Sequence, residues 1–290
     1  MSAHAPPART KVTIHTLQSK KAQGEVITML TAYDYATSLA VDQAGIDSIL
    51  VGDSLGMVVL GYDSTLPVTM DDMLHHCKAV ARGAQYPLLI GDMPFMSYQA
   101  SIEAAVRNAG RFLAEAGMDA VKLEGGRDVI PATRAIIAAG IPVMGHIGLT
   151  PQSINHLGGY KVQGRTALAA RRLIDDAIAL AETGCFALVL EAVPGRVARL
   201  ISERIDIPTV GIGAGAGCDG QVLVTHDLLG MFDRFTPRFV KRYADLHGVM
   251  VAALSVFRTD VSSGVFPAQE HTFTIPDDEW GQLLEDLGPP

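Results

Sequence analysis

Eight short apolar or β-branched runs recur along this chain, each followed by a stretch of helical periodicity. That alternation confines the fold to a parallel sheet covered by helices. The runs lie at residues 26–31, 46–52, 87–92, 120–124, 141–146, 186–191, 209–212 and 221–224. The clearest helical pattern covers 99–116, where Ile102, Ala105, Val106, Ala109, Phe112, Leu113 and Ala116 fall at i, i+3, i+4 spacing. Over 168–180, Arg171, Arg172, Asp175 and Asp176 form a wet side, with Leu168, Leu173, Ala177, Ile178 and Leu180 opposite. A last helix is expected near 237–257. Eight strands with seven links favour an α/β (β/α)8 TIM barrel over a doubly wound sheet, and 290 residues suit one such domain. The link between the seventh and eighth runs leaves room only for a loop or one turn. The expected organisation is a polar leader at 1–10, a barrel catalytic domain at 11–260 and an acidic surface tail at 261–290.

Charge and cysteine usage narrow the partners. Of the net −8, six acids without a Lys or Arg sit in residues 261–290, so the rest of the chain is nearly neutral. Neither part offers the basic footprint that nucleic acid or an anionic membrane surface requires. No secretory h-region or long apolar span is visible. Cys77, Cys185 and Cys218 are widely spaced and form no C-x-x-C, which argues against a disulfide framework or zinc knuckle and for a reducing, cytoplasmic setting.

Active sites of such barrels lie at the C-terminal ends of the strands, and here those ends are acidic. The second run ends Gly52-Asp53-Ser54 and the third Gly91-Asp92-Met93. In the fourth, the period of two places Lys122 and Glu124 on one face and Val121 and Leu123 on the other. The fifth contributes His146 and the sixth closes on Glu191. Like carboxylates about 4 Å apart repel by about 4 kcal/mol at an effective dielectric of roughly 20, so protons or a cation must compensate the set. Oxygen ligands from Asp53, Asp92 and Glu124 suit Mg²⁺ or Mn²⁺ better than Zn²⁺. Lys122 is then a cationic substrate contact and Glu191 a candidate general base. Alternatives stand beside these readings. Asp53 or Asp92 could cap a helix, Lys122 and Glu124 could be a plain ion pair, and His146 could be an oriented wall of the site rather than a ligand. Gly211, Gly213, Gly215 and Gly217 could cradle phosphate or simply allow close packing. The glycine-rich connection 148–165 reads as a binding loop or lid.

Several strings resemble the ketopantoate hydroxymethyltransferase family. They are Tyr33-Asp34, Val51-Gly52-Asp53-Ser54-Leu55-Gly56, Gly91-Asp92-Met93-Pro94-Phe95, Val121-Lys122-Leu123-Glu124-Gly125-Gly126 and Gly145-His146-Ile147-Gly148-Leu149-Thr150-Pro151-Gln152. Gly159-Tyr160-Lys161-Val162-Gln163-Gly164-Arg165, Leu190-Glu191-Ala192-Val193-Pro194 and Gly211-Ile212-Gly213-Ala214-Gly215 continue the match. It runs from about residue 10 to 273; the polar leader and the C-terminal extension depart from it. The resemblance implies Mg²⁺-dependent transfer of a hydroxymethyl group from 5,10-methylenetetrahydrofolate to 3-methyl-2-oxobutanoate. The product would be 2-dehydropantoate, for pantothenate and coenzyme A synthesis. It also implies metal ligation by Asp53, Asp92 and, directly or through water, Glu124, with a metal-stabilised enolate formed by Glu191 as base. Lys122 would hold the substrate carboxylate, Ser54 would add a hydrogen bond, and Asp53, Asp92 and His146 would complete the substrate site. A homo-oligomer, a decamer among bacterial members, is implied as well. Two rivals stand beside this: a Mg²⁺-dependent lyase or mutase of the isocitrate lyase and phosphoenolpyruvate mutase group, and a non-catalytic ligand-sensing barrel, which would be expected to lose members of the acidic set that is complete here. None of the three cysteines sits in the Lys-x-Cys-Gly-His context usual for those lyases.

Overall fold

A computed structural model describes residues 9–232 and 236–288. Eight parallel strands close into a barrel in chain order. They are β1 (Ile27–Thr31), β2 (Ser48–Val51), β3 (Leu88–Asp92), β4 (Ala120–Glu124), β5 (Val143–Gly148), β6 (Ala187–Glu191), β7 (Thr209–Ile212) and β8 (Gly220–Leu223). The runs read from sequence overlap all eight, with ends displaced by at most two residues. The link from β7 to β8 is a turn without a helix, as its length requires.

Strand periodicity divides the side chains between two cores. Val121 and Leu123 point outward into the layer between sheet and helices. Inward, Met29, Leu50, Ile90, Ala120, Met144, Val189 and Val222 fill the barrel with apolar side chains. Leu17 of the helix Ile14–Gln23 is fully buried in that inner cluster. Around the sheet, helix Ile102–Ala116 is capped by Ser101, whose side chain accepts from the Ala104 N–H, and ends at left-handed Gly117. Its buried Ala105, Ala109, Phe112 and Ala116 follow the expected stripe. Helix Ala167–Thr183 buries Ile174, Ala177 and Leu180, but Leu168 is 66% exposed. Leu168 occupies the first turn, directly after the Thr166 cap, where periodicity alone misassigns it to the buried side.

The described residues group into two compact units, divided between Tyr243 and Ala244. The periodicity expected over 237–257 becomes helix only at Leu246, where Asp245 accepts from the Gly248 N–H, and runs to Ser263. This helix belongs to the second unit, as does Asp277–Leu287, a helix in the stretch expected to be a surface tail. Most of the 1–10 leader lies outside the described residues. Among those described, no helix is long and apolar enough to cross a membrane.

Candidate active site

Asp53, Ser54, Asp92, Lys122, Glu124, His146 and Glu191 all line one pocket of about 390 Å³ at the C-terminal end of the barrel. Strand register stacks them: Asp92 is level with Lys122, Glu124 with His146, and Gly148 with Glu191. Two residues nearer the N-terminus, Ile90, Ala120, Met144 and Val189 are apolar, so along β3 to β6 the inner face turns polar towards the barrel mouth.

The acids serve one another rather than helix caps. The Asp53 N–H donates to Asp92 Oδ2 at 3.1 Å, and Gln152 Nε2 donates to Asp53 Oδ2 at 2.9 Å. Lys122 Nζ lies 2.8 Å from Asp92 Oδ1 and 3.8 Å from Glu124 Oε1, so it belongs to a cluster rather than a simple pair with Glu124. His146 bridges two acids, with Nδ1 3.4 Å from Glu124 Oε1 and Nε2 3.3 Å from Glu191 Oε2. Its bridging position makes it more than a passive wall. The Ser54 hydroxyl pairs with the Tyr33 phenol at 2.9 Å.

Burial raises the Asp53 pKa well above its ordinary value, and the charges of Asp92 and Glu124 add to the shift. Burial also raises Asp92, against the opposing pull of Lys122. Glu124 is held low despite burial, because His146, Lys122 and the Gln152 N–H outweigh desolvation. Burial works to discharge Lys122, but Asp92, Glu124 and Asp53 keep it charged. In His146, Glu124 and Glu191 overcome burial and the nearby ammonium, pushing the pKa up to about 9. Lys122 Nζ also lies 3.2 Å from Nδ1, which places that nitrogen between an ammonium and the Glu124 carboxylate.

This donor set fits a hard divalent cation. Asp53 and Asp92 present adjacent carboxylates, and Asp92 Oδ1 is buried without a well-aligned hydrogen-bond donor. Among the described residues, no three His, Cys, Asp or Glu side chains form a ready-made metal cage. Mg²⁺ does not need one, since it is commonly held by one or two carboxylates with water and substrate oxygens completing the shell.

Backbone geometry aims Glu191. Gly148 has φ +100, and a Cβ there would collide with the Glu191 carbonyl oxygen, so only glycine fits beside this strand end. The next residue, Ala192, takes φ 49, a left-handed conformation rare outside glycine. The connection 148–165 folds as a turn at Pro151–Ser153 and a one-turn helix at Ile154–Leu157. Tyr160, Lys161 and Val162 then line the pocket. The glycines after β7 have a packing explanation: a Cβ would meet Cys218 Sγ at 2.9 Å from Gly211, the Phe239 ring at 2.8 Å from Gly213 and the Arg199 Cβ at 2.6 Å from Gly217.

Two residues without a role in the sequence reading organise the cluster. Gln152 Nε2 also donates to the Met93 carbonyl, its backbone N–H donates to Glu124 Oε2 at 3.0 Å, and its Oε1 accepts from Tyr98 at 2.8 Å. The Tyr98 phenol oxygen in turn accepts from the Glu124 N–H at 3.2 Å. Gln152→Leu strands buried polar groups of both Asp53 and Tyr98. Loss of such outer partners costs about 10–100-fold in metal affinity or activity, and that drop is expected in a Mg²⁺ titration of turnover. An unchanged Mg²⁺ requirement would make the network merely structural.

A family model described as ketopantoate hydroxymethyltransferase matches residues 11–269. The 3-methyl-2-oxobutanoate hydroxymethyltransferase of Moorella thermoacetica is 60% identical over 265 residues, covering 91% of this chain and 98% of its own length. That of Nitratidesulfovibrio vulgaris is 54% identical over 295 residues, covering 99% and 96%. Among solved structures, a phosphonopyruvate hydrolase complex with oxalate and Mg²⁺ has a TM-score of 0.60 at 13% identity, covering 94% of this chain and 96% of its own. A 2,3-dimethylmalate lyase of the PEP mutase/isocitrate lyase superfamily has a TM-score of 0.55 at 13% identity, covering 95% and 99%. At such identities these two similarities concern the barrel fold.

Proposed function

The chain belongs to the ketopantoate hydroxymethyltransferase family, and from that premise we propose that it hydroxymethylates 3-methyl-2-oxobutanoate with 5,10-methylenetetrahydrofolate and water, releasing 2-dehydropantoate and tetrahydrofolate. The observation that carries the reading is the meeting of Asp53, Asp92, Glu124, Glu191, Lys122 and His146 in a single pocket, with Glu191 bridged through His146 to the cluster. A cation held by Asp53 and Asp92, with Glu124 as direct or water-mediated ligand, supplies Lewis-acid stabilisation of negative charge on the keto oxygen.

The protein's own groups do the rest. Lys122 offers its charge to the substrate carboxylate, exchanging part of its contact with Asp92. Ser54, oriented by Tyr33, adds a hydrogen bond. Glu191 removes the C3 proton, and His146 beside it orients the carboxylate. Water supplies the hydroxyl oxygen, and its two protons pass to the folate nitrogens as both C–N bonds to the donor's methylene break. The electron pair left on C3 forms the new bond to the one-carbon unit, and the proton held by Glu191 goes to the new hydroxyl. Tyr160, Lys161 and Val162 limit the site to the water consumed while it is closed, which protects a water-sensitive donor.

A cytoplasmic setting accords with this reading and with the free thiols of Cys77, Cys185 and Cys218. The proposal includes a homo-oligomer, of decamer size as the family resemblance implies. Val249, Leu254, Val256 and Phe257, exposed on the helix Leu246–Ser263, are apolar surface available to it. Nucleic acid and membrane have no place in the proposed reaction.

Proton NMR in D₂O tests the reading, with keto acid, Mg²⁺ and donor present, and again with a chelator. Loss of the C3 proton and appearance of 2-dehydropantoate, both abolished by the chelator, are expected. A folded protein that neither exchanges the proton nor forms product would overturn the assignment and leave the lyase or sensor readings.

A further inference from the structure

We propose that the wall of the pocket facing away from the acidic cluster seats the pterin ring of the donor, with Asp227 accepting hydrogen bonds from its aminopyrimidine edge. The inference rests on the transferase reading and goes beyond it by assigning a donor subsite. The pocket has two chemically different parts. Its acidic cluster with Lys122 and His146 comes from the ends of β2 to β6, whereas the rest of the wall is largely apolar, with Ile212, Val222, Val224, Phe232 and Phe239 interrupted by Asp227 and Arg238. A small branched keto acid engages the first part and leaves the second uncovered. A volume of about 390 Å³ lies in the range of sites for larger, drug-sized ligands.

Asp227 lines this apolar wall and is only 8% exposed. Among the described residues its carboxylate enters no hydrogen bond, and Arg242 compensates it only as a nearby charge. Burial pushes its pKa up to about 6, so it remains largely ionised above neutral pH. Among the described residues no group donates to this carboxylate, so solvent in the pocket meets it, and a ligand that displaces that solvent must bring donors of its own. The pterin edge has two in one plane, a ring N–H and an exocyclic amino group, which match the two carboxylate oxygens, and its flat faces suit the surrounding Phe and Val side chains. The same wall leads back to the reacting centre. The Tyr33 ring packs 5.3 Å from that of His226, the neighbour of Asp227, while its phenol bonds Ser54.

Calorimetric titration with tetrahydrofolate tests the assignment, using wild type and Asp227→Asn. Hydrogen bonds to a charged group are worth about 1.5–3 kcal/mol, so a loss of about 10–100-fold in affinity is expected in the variant. Tetrahydrofolate lacking the 2-amino group should bind wild type correspondingly weakly. In Asp227→Asn its removal should matter less, because the two changes act on one contact. Equal amino-group effects in both proteins, or unaltered tetrahydrofolate affinity in the variant, would overturn the proposal. If Asp227→Asn does not fold, wild type with the two ligands still decides: no penalty for the missing amino group rejects it. Guanosine carries a similar edge, and binding as tight as tetrahydrofolate would assign the wall to a purine instead. C3 proton exchange by wild type, measured without donor, separates the two levels of inference. Exchange with no Asp227 effect refutes the donor subsite alone, whereas its absence refutes the underlying transferase reading.

Discussion

Glu191→Gln is expected to lower kcat for hydroxymethyl transfer by about 10²–10⁴, the usual contribution of a positioned general base, while keto-acid affinity stays near that of wild type. The substitution preserves shape and removes the proton acceptor. Glutamine can still meet the His146 ring, which lies 3.3 Å from the Glu191 carboxylate. Asp53, Asp92 and Lys122, assigned here to cation and substrate, are left intact. The defect should therefore appear in the C3 proton exchange of the keto acid as strongly as in product formation, because both need the same proton removed. Single-turnover measurements with each substrate saturating make the comparison clean. Normal exchange with slow transfer would move Glu191 to a later step, and near-normal kcat would assign the base elsewhere.

Asp53→Asn is expected to abolish cation-dependent turnover yet make the cation-free protein more stable at alkaline pH. Burial, Asp92 and Glu124 raise the Asp53 pKa in the folded chain, so the folded state binds this proton more tightly than the unfolded state does. Stability is then lost as pH rises from about 4 through the raised folded value. Asparagine carries no titrating proton and escapes that loss. A gain of about 0.5–2 kcal/mol at pH 8, typical when a functionally costly group is removed, corresponds to about 2–4 °C in Tm per kcal/mol. The gap should narrow towards pH 4. Mg²⁺ should reverse the order by stabilising wild type through binding, with its affinity for the variant falling by more than the roughly 10–100-fold cost of losing an outer-shell partner. Thermal melts across pH, with Mg²⁺ and with chelator, read both effects. A variant less stable than wild type at every pH without cation would show that Asp53 is a structural acid.

Much of the site was legible because barrel chemistry collects where strands end. Gly52-Asp53, Gly91-Asp92, Lys122 with Glu124, His146 and Glu191 each terminate an apolar run, and strand parity places Asp92, Lys122, Glu124, His146 and Glu191 inward, whereas Asp53, past the end of β2, reaches the pocket only through the turn that follows. Gln152 was visible only as a letter in the connection after β5. Its bond to Asp53 spans 99 residues, and its bond to Tyr98 spans 54. Local periodicity contains no information on such pairings. Asp227 was equally silent, following the last run without a pattern of its own. Leu168 failed for a related reason: a helical repeat gives the direction of a stripe, but helix docking decides how far along the helix that stripe is covered.

By itself the sequence determined the eight strands, the helices that join most of them, their inward and outward faces and the acidic strand ends, because these follow from periods of two and 3.6 residues along the chain. Tertiary structure decided which acids lie against one another, that His146 spans Glu124 and Glu191, that Gln152 holds two acids from a distant loop, and that Asp227 lies in a largely apolar wall. Those properties depend on distances between strands and on exclusion of water, and both arise only when the barrel closes.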